Sequence, residues 1–365
     1  MIVKDEEDTI EKCITSLRKY IDYYVIVDTG SKDNTIAKIK EVAEGLGLEG
    51  EIHERKWVNF GHNRTESLEL AKGKCDYRLV MDADDTFESF VDNPFEDLDP
   101  SKSGFGINLQ LGGISYNRCM LIKSDEDWEF VGVLHEYPFP KNKQTPNLGM
   151  VNGCVIHACI SPLKRAKSQK EKYANDARIL AKAVKEDPNN SRYMFYLGQS
   201  YFDSQQYAKA IEAYKKRTTM GGWNEEVYIS HYKIALCLME LKKKDEVLID
   251  AFSKAWENRP FRLEAAYHLA RILRLNKRHV LGFTYANMAM QNFTNYPGKD
   301  TLFYEKPIHE WMFLDEYCMA AYYVGQRELA KTNMEQFFKT DIYEALPDNE
   351  KQRIQKNYSH YCEEK

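Results

Sequence analysis

The apolar residues of this chain change their period once, near residue 160, and that change divides it into two parts of different class. Before it, short apolar runs alternate with helical stripes. Ile10, Cys13, Ile14, Leu17 and Ile21 recur at helical spacing, and residues 23–27 then form an apolar run ending at Asp28. Ile36, Ile39, Ala43 and Leu46 make a second stripe, and residues 51–53 a weak strand. Residues 62–72 read as a helix with Leu68 and Ala71 inward, and residues 77–81 as a strand stopping at Asp82. This βαβα order predicts a parallel sheet covered by helices. Ligands of such sheets lie beyond the carboxyl ends of the strands, so Asp28 and Asp82 are expected in one crevice. Residues 104–114, 116–122 and 151–159 alternate as further strands, the antiparallel half of a mixed sheet.

From about Pro162 onward the pattern is helical throughout. Tyr173, Ala177, Leu180 and Val184 form one stripe, interrupted at Asp187 and Pro188. Leu197, Gly198, Gln199, Ser200 and Tyr201, followed by Ala210 and Tyr214, suit a tetratricopeptide repeat. Weaker copies place Ile234 and Leu269 at the position of Leu197, 37 and 35 residues apart, near the period of about 34 for such repeats. A last pair is expected between Trp311 and Phe338. Small residues let paired helices approach, and aromatic residues fill the space between pairs. The expected division is residues 1–160 and 161–365, within the length at which chains form two domains.

The sharpest chemical signal is the run Leu79-Val80-Met81-Asp82-Ala83-Asp84-Asp85. On an extended segment, residues i and i+2 share a side, so Asp82 and Asp84 can together hold one hard divalent cation. Such a cation bridges a nucleotide diphosphate and neutralises it as it leaves. An acidic turn after a strand has the same composition, and the spacing alone leaves both readings open. Asp28 can accept a hydrogen bond from the edge of a base, or can cap its own loop. Arg64, near a helix start, can reach a phosphate or form a surface ion pair.

In their order, residues 1–7, Val27-Asp28-Thr29-Gly30-Ser31, residues 57–64 and Met81-Asp82-Ala83-Asp84 resemble family 2 glycosyltransferases of the GT-A fold. The closest likeness is to the branch whose catalytic domain is followed by tetratricopeptide repeats. The resemblance covers residues 1–160 and, more loosely, 160–260. It implies an α/β GT-A domain with a Rossmann-like mixed sheet, followed by an all-α TPR-like domain. It also implies an inverting transfer of a sugar from a nucleoside diphosphate donor, usually UDP-linked. Val3, Asp28, Arg64, Asp82 and Asp84 would then lie along the donor. Asp28 would read the base, Asp82 would sit near ribose and phosphate, and Asp84 would bind Mn²⁺ or Mg²⁺. Two departures stand out: the chain begins inside the first strand, and Asn63-Arg64-Thr65 replaces the commoner Ala-Arg-Asn. In the same branch a similar Gly-x-x-His-Glu closes the acceptor region. Glu136 is therefore the expected base, taking the proton of the attacking hydroxyl, with His135 orienting it or touching donor phosphate. An ion pair is the structural alternative for Glu136. His157 is expected to complete the metal shell, or to be a satisfied core histidine. Asp85 and Asp125 are weaker acidic candidates.

Composition narrows the alternatives. The net charge of −5 opposes a nucleic-acid partner, which calls for a basic field. The acidic, glycine-free segment Lys4-Asp5-Glu6-Glu7 opposes a nucleotidyltransferase with a glycine-rich phosphate loop. Eight scattered cysteines without CxxC pairs read as reduced thiols of a cytoplasmic protein. No apolar stretch reaches the length of a membrane span, and none resembles a signal peptide. The expected partners are the nucleotide sugar and a glycan, peptide or protein acceptor, with a protein partner or a homo-oligomer formed through the repeats. A catalytically inactive, repeat-based scaffold is the competing reading. Retention of Asp82, Asp84 and Glu136 opposes it.

Overall fold

The computed structural model describes residues 1–111, 114–142, 144–159, 168–295 and 300–363. Two compact units result, Met1–Ser168 and Gln169–Lys365. The expected boundary at 160/161 and the helical start at Pro162 lie outside the described residues.

The first unit begins with three parallel strands in the order β1 (Ile2–Val3), β2 (Tyr23–Asp28) and β3 (Glu49–Glu54). Between them run α1 (Ile10–Leu17) and α2 (Thr35–Gly45). The stripe of α1 is split in use. Ile10 and Ile14 join a core with Val3, Ile26, Ile39 and Leu48, whereas Cys13 and Leu17 join a second core with Leu68, Phe105, Ile107 and Trp128. One amphipathic helix thus welds two sheets together.

The parallel order ends at β3. The strand β4 is shorter than its apolar run, covering Tyr77–Leu79 rather than reaching Met81. It pairs antiparallel with β7 (Ile114–Lys123), and the Val80 N–H adds one more bond to the Met120 carbonyl, 2.7 Å away. That partner places β4 in a separate five-stranded sheet ordered β4-β7-β6-β10-β5, where β5 is Thr86–Ser89, β6 Gly104–Leu111 and β10 Leu148–His157. The strands expected in one mixed sheet are therefore divided between a parallel sheet and a mixed one. A hairpin of β8 (Trp128–Val131) and β9 (Tyr137–Pro140) lies against α3 (Phe60–Ala71).

The second unit is entirely helical among its described residues. After α4 (Gln169–Glu186) come the pairs α5 (Ser191–Asp203) with α6 (Tyr207–Thr218), α7 (Asn224–Glu240) with α8 (Asp245–Asn258), and α9 (Leu263–Leu275) with α10 (His279–Thr294). A π-helical turn, Ile308–Met312, leads into α11 (Phe313–Tyr323), which pairs with α12 (Arg327–Phe337). The short α13 (Asp341–Glu344) and the last helix, α14 (Asp348–Cys362), follow. Gly198 shows why the first pair needs a small residue. A Cβ there would lie 2.7 Å from the ring of Tyr214, whose hydroxyl donates to Gln199 Oε1 at 3.0 Å. Ala235 and Ala270, at the matching positions of the next two pairs, are fully buried.

Candidate active site

The run after β4 is pinned from both sides. Met81 is buried in the mixed-sheet core and Ala83 in the parallel-sheet core. Asp85 is buried and accepts the Cys159 N–H at 3.2 Å. Met81, Ala83 and Asp85 are buried and Asp82 and Asp84 half-exposed, but the expected extended run is corrected to a turn at Ala83 and Asp84, closed by the Asp85 N–H bonding the Asp82 carbonyl at 3.2 Å.

The buried face of α3 is polar: Gly61, Asn63, Arg64 and Ser67 accompany Leu68. Asn63 is satisfied by its own loop, accepting the Val58 N–H at 2.9 Å and donating to the Lys56 carbonyl at 3.1 Å. Arg64 reaches two carboxylates at once. Its Nη2 hydrogen-bonds Asp82 Oδ1, and its Nε lies 2.7 Å from Glu136 Oε1, an ionic contact off the hydrogen-bond direction. The guanidinium sits 5.7 Å from the centre of the Phe130 ring. Burial alone would lower the pKa of Arg64, but Asp82 and Glu136 outweigh it and the group is held above its ordinary value. Burial likewise pushes Asp82 upward, and Arg64 with Arg118 reverses this, leaving its carboxyl below the usual range.

Arg118, on β7, is the functional candidate missed in the sequence. It lies 4.0 Å from Asp82 Oδ2 and 3.9 Å from Glu136 Oε1. The signal available was its place on an alternating strand: a charged residue opposite the buried Ile107. Nothing in that alternation names the carboxylates it meets.

Glu136 is brought inward by an unusual backbone. Gly132 has φ 117° and His135 φ 53°, the latter a left-handed conformation that His adopts more readily than most residues. The result turns His135 outward and Glu136 inward, the latter only 8% exposed. Both ionic contacts of Glu136 fall on Oε1.

Asp28 is buried at the end of β2 and serves its own loop. Its Oδ2 accepts the N–H groups of Gly30 (2.9 Å) and Ser31 (3.0 Å), and its Oδ1 accepts the Ser31 hydroxyl. Val3 is buried and its carbonyl accepts both the N–H and the hydroxyl of Thr29. The acidic segment after β1 zips onto the same loop. Asp5 accepts the Lys32 N–H, Glu7 accepts the Asn34 N–H, and the Glu6 N–H donates to Thr35 Oγ1. Among the described residues no hydrogen bond or ion pair joins Asp28 to Asp82. His157 bonds Glu88 Oε2 at 2.6 Å across the β5–β10 ladder rather than Asp84. Asp125 is exposed, 3.6 Å from Lys123. Among the described residues no three His, Cys, Asp or Glu side chains converge as a ready-made metal site. Two surface hollows, about 450 Å³ beside Tyr23 and Lys40 and about 500 Å³ beside Lys72 and Cys75, contain none of the charged cluster.

A mixed α/β unit with an acid–base cluster at its strand ends, followed by stacked helix pairs, defines the class of this chain. Residues 1–89 match the family model Glycosyl transferase family 2, so the N-terminal unit resembles that family. The chain is 22% identical over 257 residues to the SPbeta prophage-derived glycosyltransferase SunS of Bacillus subtilis (strain 168), a match that covers 68% of this chain and 59% of that protein. It thus spans about three fifths of that relative's length. It is also 28% identical over 142 residues to a TPR repeat-containing protein of Synechococcus elongatus, covering 37% of this chain and 34% of the relative. Among solved structures, a MamA protein is similar over 47% of this chain and 83% of its own, at 19% identity and TM-score 0.35. PilF of Pseudomonas aeruginosa is similar over 55% and 83%, at 15% identity and TM-score 0.36. No helix among the described residues is long and apolar enough to cross a membrane.

Proposed function

We propose that the N-terminal unit is a metal-dependent, inverting glycosyltransferase that moves a sugar from a UDP-linked donor to an acceptor hydroxyl. The observation that carries this reading is the cluster of Arg64, Asp82, Arg118 and Glu136 beside the half-exposed Asp84. Glu136 would take the proton of the acceptor hydroxyl as its oxygen bonds to the anomeric carbon. The bond from that carbon to the donor phosphate breaks, and the diphosphate leaves with the electron pair. Arg64 and Arg118 place positive charge beside the departing diphosphate, in a site already partly shielded from water.

Asp82 and Asp84 would offer carboxylate oxygens to a hard cation, Asp82 by giving up part of its pairing with Arg64 and Arg118, and Mg²⁺ or Mn²⁺ commonly takes its remaining ligands from phosphate and water. When bound, such an ion neutralises charge on the diphosphate. His157 would join this shell only by releasing Glu88. The free lone pair of Asp28 Oδ1 would meet the base, with the Gly30 and Ser31 amides fixing the carboxylate. Donor binding would draw Arg64 toward phosphate and loosen its hold on Glu136, coupling donor arrival to a competent base. The acceptor would be a glycan, peptide or protein, and the helical unit would contact a protein partner or a second copy. A cytoplasmic location belongs to the same proposal.

The test is a thermal-shift panel of nucleoside diphosphate sugars with and without Mn²⁺, run on the wild type and on Asp84→Ala. Stabilisation by a UDP-sugar that requires Mn²⁺ and is lost in a folded Asp84→Ala supports the proposal. Wild-type transfer that EDTA leaves unchanged would remove the metal-dependent mechanism.

A further inference from the structure

The turns that close the helix pairs α7–α8, α9–α10 and α11–α12 lie side by side along one edge of the helical unit. Asn276, just after α9, donates from Nδ2 to Asp245 Oδ2 at the start of α8, 2.7 Å away. His279, the first residue of α10, stacks on Tyr323 at the end of α11, with 4.4 Å between ring centres and 9° between planes. Large apolar side chains stand in the open along this edge. Leu241 and Val247 do so at the first turn, Leu275 (62% exposed) and Val280 (75%) at the second, and Tyr323 (51%) at the third.

The same turns are basic. Residues 241–244 and 276–278, which join the helices of the first two of these pairs, carry Lys242, Lys243, Lys244, Lys277 and Arg278 and no acid. All five cations are exposed, and none is in an ion pair among the described residues. The adjoining helix ends bring Glu240, Asp245 and Glu246, which leaves +2 over residues 240–247 and 275–280, on a chain whose net charge is −5. Single exposed apolar residues are ordinary on a protein surface; a run of them through adjoining turns, interleaved with unpaired cations, marks an interaction site. A soluble polyanion would engage the cations and leave the apolar tips in water. A bilayer of anionic lipids takes both at once: its headgroups meet Lys and Arg, and the boundary beneath them receives the Leu, Val and Tyr side chains.

We propose that this edge docks the helical unit on the surface of an anionic membrane, as a peripheral contact made by the turns of successive helix pairs. The contact needs no helix that crosses the bilayer, and it does not rest on the transferase reading.

The test is co-sedimentation of the full chain with vesicles of phosphatidylcholine and phosphatidylserine in equal parts, against vesicles of phosphatidylcholine alone. The wild type should sediment with the anionic vesicles, less so as salt rises, and stay in solution with the neutral ones. The triple variant Lys243→Gln, Lys244→Gln, Arg278→Gln should weaken binding about 100-fold, at about five-fold for each charge near the surface. The double variant Leu275→Ser, Val280→Ser should weaken it about ten-fold. In the wild type, anionic vesicles should slow hydrogen exchange at residues 241–247 and 275–280 but not at the turns between pairs, residues 219–223 and 259–262, a readout that needs no substitution. The proposal is overturned if the wild type ignores anionic vesicles at low salt, or if the slowed exchange falls outside these turns. It is also overturned if either folded variant binds as the wild type does; loss in the charge variant alone would mark the edge as a site for soluble polyanions such as an acidic protein.

Discussion

Replacing Gly61 by Ala tests how α3 delivers Arg64 to the site. Gly61 lies in the first turn of α3, where alanine in place of glycine ordinarily stabilises a helix by up to about 1 kcal/mol. Here the added Cβ would meet the Gly132 carbonyl oxygen at 2.4 Å and the Phe130 carbonyl oxygen at 2.9 Å. Both are backbone atoms and cannot swing aside, so α3 must retreat by about 1 Å to reach ordinary contact distance. Overpacking of this kind costs about 1–3 kcal/mol. The same movement stretches the 2.8 Å bond from the Phe130 N–H to Thr65 Oγ1, worth about 1 kcal/mol. Against the gain in propensity, the net loss is about 1–3 kcal/mol, and the 2.7 Å contact of Arg64 with Glu136 opens with it. Gly45→Ala is the matched control: it is also helical, and its Cβ meets nothing within 4 Å. Urea titration followed by hydrogen exchange in β8 reads the first unit separately from the second. Gly61→Ala should unfold at lower urea and Gly45→Ala at equal or higher urea. A Gly61→Ala protein as stable as the wild type would refute the close approach of α3 to the β8 hairpin loop, and with it the account of how Arg64 is placed.

The cluster makes two further predictions. Glu136→Gln should bind donor as the wild type does while transfer falls by about 100-fold or more; single-turnover kinetics check this, and wild-type transfer would remove Glu136 as the base. Asp85 is pushed up to about 7 by burial, reinforced by Asp82 and Asp84 and only partly offset by the Cys159 N–H. Its folded-state pKa thus exceeds its unfolded value, and between about pH 4 and 7 the folded chain holds a proton that the unfolded chain has lost. Stability should therefore fall as pH rises through that window and level off above it. Asp85→Asn, which can still accept the Cys159 N–H, should flatten this contribution and unfold at a higher temperature than wild type near pH 8. Thermal melts across the range measure it, and parallel pH profiles for the two proteins would contradict it.

Much of the architecture was legible because it rests on local periodicity. The stripe of α1 and the small residues at Gly198, Ala235 and Ala270 report burial directly, since each helix face must find apolar neighbours, whereas β6 is buried continuously over residues 104–107 instead of alternating. Asp82 and Asp84 were legible as an acidic run after a strand, but the turn at Ala83 and Asp84 was not, because its closing bond from the Asp85 N–H to the Asp82 carbonyl leaves no period in the sequence. Arg64 and Glu136 could be named as candidates, but their contact could not, because they stand 72 positions apart and meet only where α3 and the β8–β9 loop pack together. The same holds for Arg118 joining them, for His157 choosing Glu88, and for β4 pairing with β7 instead of extending the parallel sheet. Residues 300–305 carry no period at all, and their anchoring depends on Glu225 of α7, on Glu264 of α9 and on Arg262 just before α9. The amino-acid order alone settled which surfaces must be hidden and which short segments carry charge to a strand end. Which charge meets which was decided only by tertiary packing, because an ion pair or a main-chain clamp needs atoms within about 3–4 Å, and no local rule brings distant residues that close.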